Sequence, residues 1–455
     1  MKQLSLKEVI ECTNGTTTMA VQGYVNGVST DTRENLKGKL FIALRGKNFD
    51  GHDFINKALE AGAVAVVADK NINCSRLIKV ANTKQALIDI ATYYRSLFNV
   101  KVIGITGSVG KTTTKDMVAS VVGKKYKILK TEQNLNNEIG VSKTILNLHE
   151  GIDVAIIEMG MCNFGEILEI SNIIKPNIGV VTNIGVSHIE SLKTRENIFK
   201  AKMEIIGGMK KGSTLILNKD VDFFNSYSNK GYNVKFYSIK SENADVFANN
   251  INYNLEKTNF DIVDDSLKIK VELPCLGEHS VYSALVAYII GRQLAISVDD
   301  ILEGLKLYKP SGMRQKIVNF NGIKFVEDCY NASPDSMKAA IETISRITVS
   351  GRKIMVISDM LELGCIANKE HYKIGQLIAK SAVDKVYCFG DFAKQYVDGA
   401  IENGMNKRDI EIFPGKIELE KKLNAEINSG DIVWFKASRG MKLEEVIEKI
   451  YKNKE

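Results

Sequence analysis

The most informative segment of this chain is Gly104-Ile-Thr-Gly107-Ser-Val-Gly110-Lys111-Thr112-Thr113-Thr114. Its first residues end a buried-strand pattern at residues 100–105. Its last residues lead into a helix whose apolar face begins at Met117. Glycines let successive backbone N–H groups turn toward a polyphosphate at a helix N-terminus. Lys111 can then reach the β- and γ-phosphates, and the Thr112 hydroxyl can hold magnesium. The pattern predicts a strand, loop and helix unit that binds a nucleotide.

This loop departs from the ordinary phosphate-binding pattern at one position. The pattern G-x-x-x-x-G-K-[ST] has glycine where this sequence has Ile105. The loop alone therefore leaves three alternatives open: a chance Gly-Lys-Thr turn, a kinase, and a switch NTPase with a shortened loop.

The wider chain repeats the same alternation of strand and helix. Short runs rich in Val and Ile, separated by helical patterns, indicate α/β units around parallel sheets. A second series of strand-like runs lies at residues 323–326, 353–357, 385–389 and 431–435. A linker pattern at residues 309–312 precedes it. We therefore predict an α/β protein with three domains, at residues 1–98, 99–313 and 314–455.

Composition and charge narrow the class of protein. The chain has 455 residues, 44% of them hydrophobic and 25% charged, which is typical of a globular protein with several cores. Its most apolar stretches, residues 61–68 and 282–291, are far shorter than the roughly 20 residues of a spanning helix. Residues 1–15 contain no apolar signal core, so we expect a cytoplasmic protein without membrane insertion. The net charge of +7 is spread without like-charged blocks, which argues against a nucleic-acid partner.

Two further strand-like runs are followed by polar side chains that could bind a metal ion or a substrate. Residues 153–157 lead to Glu158, and residues 178–182 lead to Asn183 and His188. Ligands of doubly wound sheets bind at the carboxyl ends of the strands. His188 taken alone is more often a structural polar group, and Lys202, at the edge of a helix face, would alone be a solvated lysine.

Together these motifs resemble the Mur ligase family in order and spacing. They are residues 106–113, 136–140, 158–160, 182–185 with His188, and 201–204. The glycine that the loop lacks at position 105 is also missing from that family. The resemblance implies a three-domain architecture with a central ATPase domain and a C-terminal Rossmann-like domain.

Motifs in the first and third parts resemble the family members that add D-alanyl-D-alanine to a UDP-N-acetylmuramoyl-tripeptide. They lie at residues 29–33, 41–46, 49–53, 328–336, 359–364 and 436–441. The resemblance implies two steps, in which ATP converts the tripeptide carboxylate to an acyl phosphate and the amine of the dipeptide then displaces phosphate. Such a ligase would act in the synthesis of peptidoglycan precursors, and we expect a monomer.

The resemblance also assigns roles to residues. For ATP it implies Thr106, Gly107, Ser108, Val109, Gly110, Lys111, Thr112, Thr113, Asn137, Ser280, Arg314 and Asp328. For two Mg²⁺ ions it implies Thr112, Glu158, His188 and Lys202, with Lys202 converted to a carbamate. Catalysis would depend on Lys111, Lys202 and His188. For the UDP-tripeptide and the dipeptide it implies Ser29, Thr30, Arg33, Arg45, Asp50, His52, Asn134, Asn136, Asn331, Ser336, Lys436, Ser438 and Arg439.

Several positions depart from the family pattern. Ser280 stands where the family has the asparagine beside adenine, Ser333 where it usually has asparagine, and Ala437 and Ser358 where it has glycine. None of these belongs to the phosphate or metal set. We therefore expect an active enzyme with altered packing around adenine.

Other functions compete with this interpretation. A nucleotide-triggered switch would need the loop but not His188, Lys202 and Asp328. Within the ligases, the alternatives are a Mur-type enzyme that adds a single amino acid and a folate polyglutamate ligase. The sequence lacks the Asp-Asn-Pro-Arg type of motif of the diamino-acid-adding relative, which favours the dipeptide.

Overall fold

The structure is a computed structural model that describes residues 1–18, 20–46, 48–225, 227–228, 231–254, 256–265 and 267–454. In this part of the chain the strands are β1 Leu4–Ser5, β2 Tyr24–Val25, β3 Val28–Ser29, β4 Leu40–Ile42, β5 Ala65–Ala68, β6 Leu77–Lys79, β7 Lys101–Thr106, β8 Ile128–Lys130, β9 Val154–Glu158, β10 Ile178–Val181, β11 Thr214–Asn218, β12 Asn233–Ser238, β13 Val246–Tyr253, β14 Thr258–Asp264, β15 Leu267–Leu273, β16 Lys316–Phe320, β17 Ile323–Asp328, β18 Lys353–Ile357, β19 Lys385–Phe389, β20 Ile410–Phe413 and β21 Ile432–Lys436. The α-helices of the same residues are α1 Leu6–Thr13, α2 Ile55–Glu60, α3 Thr83–Ser96, α4 Lys111–Val122, α5 Glu138–Ile145, α6 Glu166–Ile174, α7 Ile189–Leu192, α8 Arg195–Met203, α9 Glu278–Gln293, α10 Val298–Lys306, α11 Pro334–Arg346, α12 Ala367–Ala379, α13 Ala393–Ile401, α14 Lys416–Glu426 and α15 Glu444–Lys454.

The chain forms two compact units whose segments alternate along the sequence. The first unit comprises Met1–Thr106, Tyr126–Gly179 and Met203–Thr214. The second comprises Gly107–Lys125, Val180–Lys202 and the chain from Leu215 onward. The predicted domain boundaries after residues 98 and 313 stay a prediction.

The first unit contains a small parallel sheet and three strands that lead to the site. Strands β3, β4, β5 and β6 pair in parallel in this order. All four residues of β5 are buried, as expected for a parallel strand covered on both faces. Strands β7, β9 and β8 are also parallel neighbours, with Ile105 opposite Glu158. Because parallel strands end at the same edge of their sheet, Thr106 and Glu158 lie at one edge.

In the second unit, α4 is held closely against two other helices. A Cβ built at Gly304 of α10 would lie 2.7 Å from Val121 Cα of α4, and one built at Gly291 of α9 would lie 3.1 Å from the Val121 side chain. Glycine at these positions lets the helix backbones approach. These contacts fix the C-terminal end of α4, and Lys111 lies at the opposite end of the helix.

The second unit also contains a sheet of strands in the order β15, β14, β13, β12, β11, β10. The strand and helix pattern predicts parallel sheets, but β13, β14 and β15 pair antiparallel. The short connections between them explain this difference, since a parallel crossover needs a dozen or more residues. The alternating burial of β15 shows a strand with one face in solvent.

The last part of the second unit is a six-stranded sheet with helices on both faces. Its order is β16, β17, β21, β18, β19, β20, and only β16 is antiparallel to its neighbour. Side chains of α11, α12 and α13 pack on one face, and those of α14 and α15 pack on the other. The register places Asp328 of β17 opposite Lys436 of β21. Both residues end their strands at the carboxyl edge of the sheet.

The structure confirms the strand and helix patterns on which the α/β prediction depends. The run at residues 100–105 becomes β7, and the four later runs become β17, β18, β19 and β21. Ile105 is fully buried within β7, so the strand continues to Thr106 and occupies a position that the ordinary loop gives to glycine. Across the described residues, no helix combines the length and hydropathy that a membrane span requires.

Candidate active site

The predicted phosphate loop forms a glycine cradle at the start of α4. Gly107 and Gly110 have φ values of 150° and 83°, a region that favours glycine. A Cβ at Gly107 would lie 1.8 Å from Thr182 Oγ1, so no larger residue fits. A Cβ at Gly110 would meet no atom within 4 Å, so the helix N-terminus opens into free space. This geometry suits an anion bound by the first amides of α4.

The segment after β10 supports this loop. Ser108 N and Val109 N donate to the backbone and side-chain oxygens of Asn183 at 3.2 and 2.9 Å. Gly185 N donates to Ser108 Oγ at 2.9 Å. Lys111 Nζ folds back to donate to the loop carbonyl of Gly107 at 2.8 Å. The loop shape is therefore set by residues 183–185.

Three threonines border the loop in sequence. Thr106, in the first unit, is fully buried and its Oγ1 has no hydrogen-bond partner. An unpartnered buried hydroxyl costs about 1–3 kcal/mol, which a ligand that accepts its hydrogen bond could recover. Thr112 is buried in the first turn of α4, and Thr113 is half-buried beside it. The buried Thr106 hydroxyl therefore fits a ligand that accepts a hydrogen bond.

Glu158 is held in one orientation within the first unit. Its carboxylate is buried, and Asn136 Nδ2 donates to its Oε1 at 2.9 Å. Its backbone N–H donates to Thr131 Oγ1 at 3.0 Å. Asn136 in turn donates its N–H to the carbonyl of Asn134 at 2.8 Å. Asn137 caps α5, because its Oδ1 accepts from Gly140 N at 2.8 Å.

His188 lies in the second unit, where it contacts the carboxylate of Glu362 in the loop after β18. His188 Nδ1 is 3.1 Å from Glu362 Oε2. This hydrogen bond is the main reason why the pKa of Glu362 lies below its usual value. Lys202 lies on α8 with its side chain fully buried.

The predicted metal ligands are a hydroxyl, a carboxylate, an imidazole and a modified lysine. Among the residues that the structure describes, no three His, Cys, Asp or Glu side chains gather at one point to hold a metal ion. Oxygen donors such as Thr112 and Glu158 are the type that Mg²⁺ prefers, with water and substrate phosphates as its other ligands. The donor types therefore fit magnesium bound together with a nucleotide.

At the edge of the last sheet, two residues with different predicted roles form one pair. Lys436 Nζ lies 2.7 Å from Asp328 Oδ2, and both side chains are buried. Trp434 Nε1 also donates to Asp328 Oδ2 at 3.3 Å, and Lys436 Nζ reaches the carbonyl of Asn331 at 3.4 Å. The resemblance placed Asp328 on the ATP side and Lys436 on the dipeptide side. The structure brings them into direct contact.

The remaining predicted residues of this region have separate roles in the fold. Ser336 forms a reciprocal cap with Ser333 at the start of α11. Ser438 is buried two residues after the end of β21. Arg439 is exposed and binds Glu444, with 2.7 Å between its guanidinium and the carboxylate.

Arg314 and Ser280 have well-defined partners in the second unit. The Arg314 guanidinium lies 3.9 Å from the ring centroid of Tyr330, a cation–π contact. Ser280 is buried in the first turn of α9, and its hydroxyl donates to the carbonyl of Leu276 at 2.9 Å.

In the first unit, part of the predicted UDP site is a network of charges. His52 contacts Asp50 through Nδ1 at 2.5 Å and Asp69 through Nε2 at 3.0 Å. The Arg45 guanidinium lies 2.5 Å from the same Asp69. Lys70 binds the other oxygen of Asp50 and is the main reason why the pKa of Asp50 is held below its usual value. Arg45, Asp50 and His52 thus form one cluster.

Ser29, Thr30 and Arg33 form a second cluster of the first unit. Ser29 is buried at the end of β3 and donates to Glu34 at 2.8 Å. Arg33 is exposed and binds Asp31 through two nitrogens, which lowers the pKa of Asp31 to about 2. Thr30 is half-buried between them in sequence.

Sequence reasoning gave no role to several residues of these clusters. Glu362, Tyr330 and Asp335 lie inside motifs that carry the family resemblance, but nothing in their spacing shows their contacts. Asp335 Oδ2 accepts from Val186 N at 3.3 Å, close to the loop support. Asp69 follows β5 without any motif, so only the folded chain reveals its contact with His52.

Comparison with known proteins gives matches along nearly the whole chain. Family models described as "Mur ligase family, catalytic domain", "Mur ligase middle domain" and "Mur ligase, glutamate ligase domain" match residues 24–101, 105–291 and 313–439. The chain is 37% identical to the UDP-N-acetylmuramoyl-tripeptide--D-alanyl-D-alanine ligase of Bacillus subtilis, over 98% of each chain.

Solved structures agree with the sequence matches. The crystal structure of MurF from Acinetobacter baumannii superposes with a TM-score of 0.92 at 28% identity, covering 99% of each chain. MurF ligase from Thermotoga maritima in complex with ADP superposes with a TM-score of 0.86 at 29% identity, covering 94% of this chain and 97% of that one. The three-part α/β fold of those enzymes is therefore the fold of this chain.

Proposed function

This chain belongs to the Mur ligase family, and from that premise we propose that it joins D-alanyl-D-alanine to UDP-N-acetylmuramoyl-tripeptide at the expense of ATP. The observation that carries the proposal is the glycine cradle at the start of α4, found in a chain whose full length matches ligases of this activity. A switch NTPase needs neither the first unit's charged cluster nor the buried pair of Asp328 and Lys436. The relatives' names favour the dipeptide over a single amino acid or folate as substrate.

The reaction has two steps in which charge gathers on oxygen. First, the terminal carboxylate of the tripeptide attacks the γ-phosphorus of ATP, the bond to the bridging oxygen breaks, and ADP leaves. The amine of D-alanyl-D-alanine then attacks the carbonyl carbon, the carbon–oxygen bond to phosphate breaks, and the amine gives up a proton. Fixed cations and N–H groups stabilise both transition states.

Each part of the phosphate site has a role in this scheme. The first amides of α4 and the Lys111 ammonium bind the β- and γ-phosphates. By the family resemblance, Thr112 and Glu158 would hold one Mg²⁺, and His188 would hold the second. When bound there, magnesium offsets the charge on the phosphoryl oxygens.

We assign the substrates to the three parts of the chain. Residues 1–98 bind the UDP moiety through the clusters around His52 and Ser29. Residues 99–313 bind ATP, and residues 314–455 supply Arg314 and Asp328 to the nucleotide and Asn331, Ser336, Lys436, Ser438 and Arg439 to the dipeptide side. We also assign the enzyme to the cytoplasm and to a monomeric state.

Lys202 is assigned as a carbamate that holds magnesium. Its side chain is only 1% exposed, and it lies at the position that the family resemblance gives to the lysine that takes up carbon dioxide. Reaction of its amine with carbon dioxide would turn a cation into an oxygen donor for the metal.

The decisive assay measures ADP release as a function of both co-substrates. We expect release to require the UDP-tripeptide and the dipeptide together. ATP turnover at the full rate without the amine or without the carboxylate would contradict a ligase and favour a switch NTPase.

A further inference from the structure

We propose that Glu362 is a positioning residue for His188. This inference rests on the proposed function, because it concerns the imidazole that we assign to a magnesium ion. Glu362 belongs to the loop between β18 and the 3₁₀-helix Gly364–Ile366, whereas His188 directly precedes α7. The contact therefore joins the last sheet to the segment that supports the phosphate loop.

A hydrogen bond between these two side chains would select one tautomer of His188. The Glu362 carboxylate can only accept, so the hydrogen between Oε2 and Nδ1, 3.1 Å apart, belongs to the imidazole. A neutral imidazole carries one N–H, so Nε2 keeps its lone pair. Carboxylates that bind the second nitrogen of a metal-ligating histidine fix its tautomer and ring orientation in this way.

The backbone at both residues supports a functional contact. His188 and Glu362 have φ values of 63° and 64°, which residues other than glycine rarely adopt. Such conformations cost about 1–3 kcal/mol each and persist where the surrounding structure imposes them, often at active sites. Here the two residues face each other.

The loop before Glu362 is fixed residue by residue. The Asp359 carboxylate accepts from Asp391 N and Phe392 N at 2.9 and 3.0 Å. Met360 N donates to His371 Nε2 at 2.9 Å, and Leu361 N donates to Ser438 Oγ at 2.9 Å. The three residues before Glu362 thus each form hydrogen bonds, which fix the position of the backbone at Glu362.

The residue that follows this loop packs against α7. A Cβ built at Gly364 would lie 2.9 Å from Glu190 Cγ, so the loop and the chain after His188 are in close contact. Gly364 itself has a φ of 53°. The backbone is therefore fixed just before and just after Glu362, whose side chain is 62% exposed and reaches His188.

The test compares wild type, Glu362→Gln and Glu362→Ala by ¹⁵N NMR of histidine-labelled, metal-free protein. The chain has five histidines, so a His188→Gln spectrum assigns the signal. We expect the Nδ1–H tautomer in wild type and in Glu362→Gln, whose amide oxygen still accepts, and its loss in Glu362→Ala. In the ligase assay, Glu362→Ala should need about 10- to 100-fold more Mg²⁺ for half-maximal rate.

Glu342→Gln is the matched control, since this exposed glutamate lies on α11 in an ion pair with Lys338. It should change neither the His188 tautomer nor the Mg²⁺ requirement. The same tautomer in wild type and Glu362→Ala, or an unchanged Mg²⁺ requirement in that variant, would overturn the proposal. Absence of ligase activity in wild type would contradict the proposed function, while the NMR comparison would still decide the role of Glu362.

Discussion

Asp328 and Lys436 form a buried ion pair across two neighbouring parallel strands, with 2.7 Å between Oδ2 and Nζ. The resemblance assigned them to different substrates, the nucleotide and the dipeptide. Because the two residues contact each other, a change at either one should affect the binding of both the nucleotide and the dipeptide. This edge of the last sheet is thus one structural element rather than two independent subsites.

Lys436→Met should strongly destabilise the protein. Removing one partner of a buried pair leaves an uncompensated charge, which costs about 3–5 kcal/mol. Urea unfolding would measure the loss. The double variant Asp328→Leu with Lys436→Met, which removes both charges, should recover much of it, and a double variant as unstable as the single one would contradict the coupling.

Lys111→Ala should abolish most of the turnover without unfolding the protein. Loss of one preorganised charge or donor at a transition state costs on the order of 10²- to 10³-fold in rate. Steady-state kinetics and thermal melting would check both parts. Lys338→Ala, at an exposed position, is the control, and a folded Lys111→Ala enzyme with wild-type turnover would show that the loop does not bind the phosphates.

Lys202→Ala should lose activity if the lysine acts as a carbamate. Added short-chain carboxylates should restore part of it, because they can supply the missing oxygen donors, whereas they could not replace a cation. ¹³C NMR after incubation with labelled bicarbonate should show a carbamate signal that the variant lacks. Lys200→Ala, at an exposed position of the same helix, should keep both signal and activity. A near wild-type rate for Lys202→Ala would count against the assignment.

His371 should make stability depend on pH. Burial lowers the pKa of His371 below its ordinary value of 6.5, so the unfolded chain takes up a proton first as pH falls. Stability is therefore full above pH 6.5 and is lost as pH falls toward the folded-state pKa, by up to about 1.4 kcal/mol per pH unit. Urea unfolding between pH 7 and 5 should show a smaller loss for His371→Gln than for wild type. The exposed His149→Gln is the control, and equal pH dependence in wild type and His371→Gln would contradict the prediction.

Local patterns of apolar residues predicted the strands on which the candidate site residues lie. Continuous apolar runs specified β7, β9 and β21, because strands buried on both faces need Val and Ile throughout. The antiparallel pairing of β13, β14 and β15 was not predicted, because it depends on short connections rather than on a distinct composition.

Contacts between distant segments could not be predicted in the same way. Glu362 and His188 are far apart in sequence, and only the folded chain shows that they meet. The same holds for Asp69 beside His52. The family resemblance assigned residues to substrates but gave no distances, so it did not show that Asp328 and Lys436 form a pair.

Mass spectrometry of the ligation product shows directly whether this protein joins the dipeptide to the UDP-tripeptide. The protein is incubated with ATP, Mg²⁺, UDP-N-acetylmuramoyl-tripeptide and either D-alanyl-D-alanine or D-alanine. We expect a pentapeptide product from the dipeptide, and far less efficient use of D-alanine, by up to about 10⁴-fold, because a site built for the dipeptide leaves polar groups unpaired with the shorter amine. Comparable efficiency with D-alanine alone, or no product from the dipeptide, would contradict the proposed function.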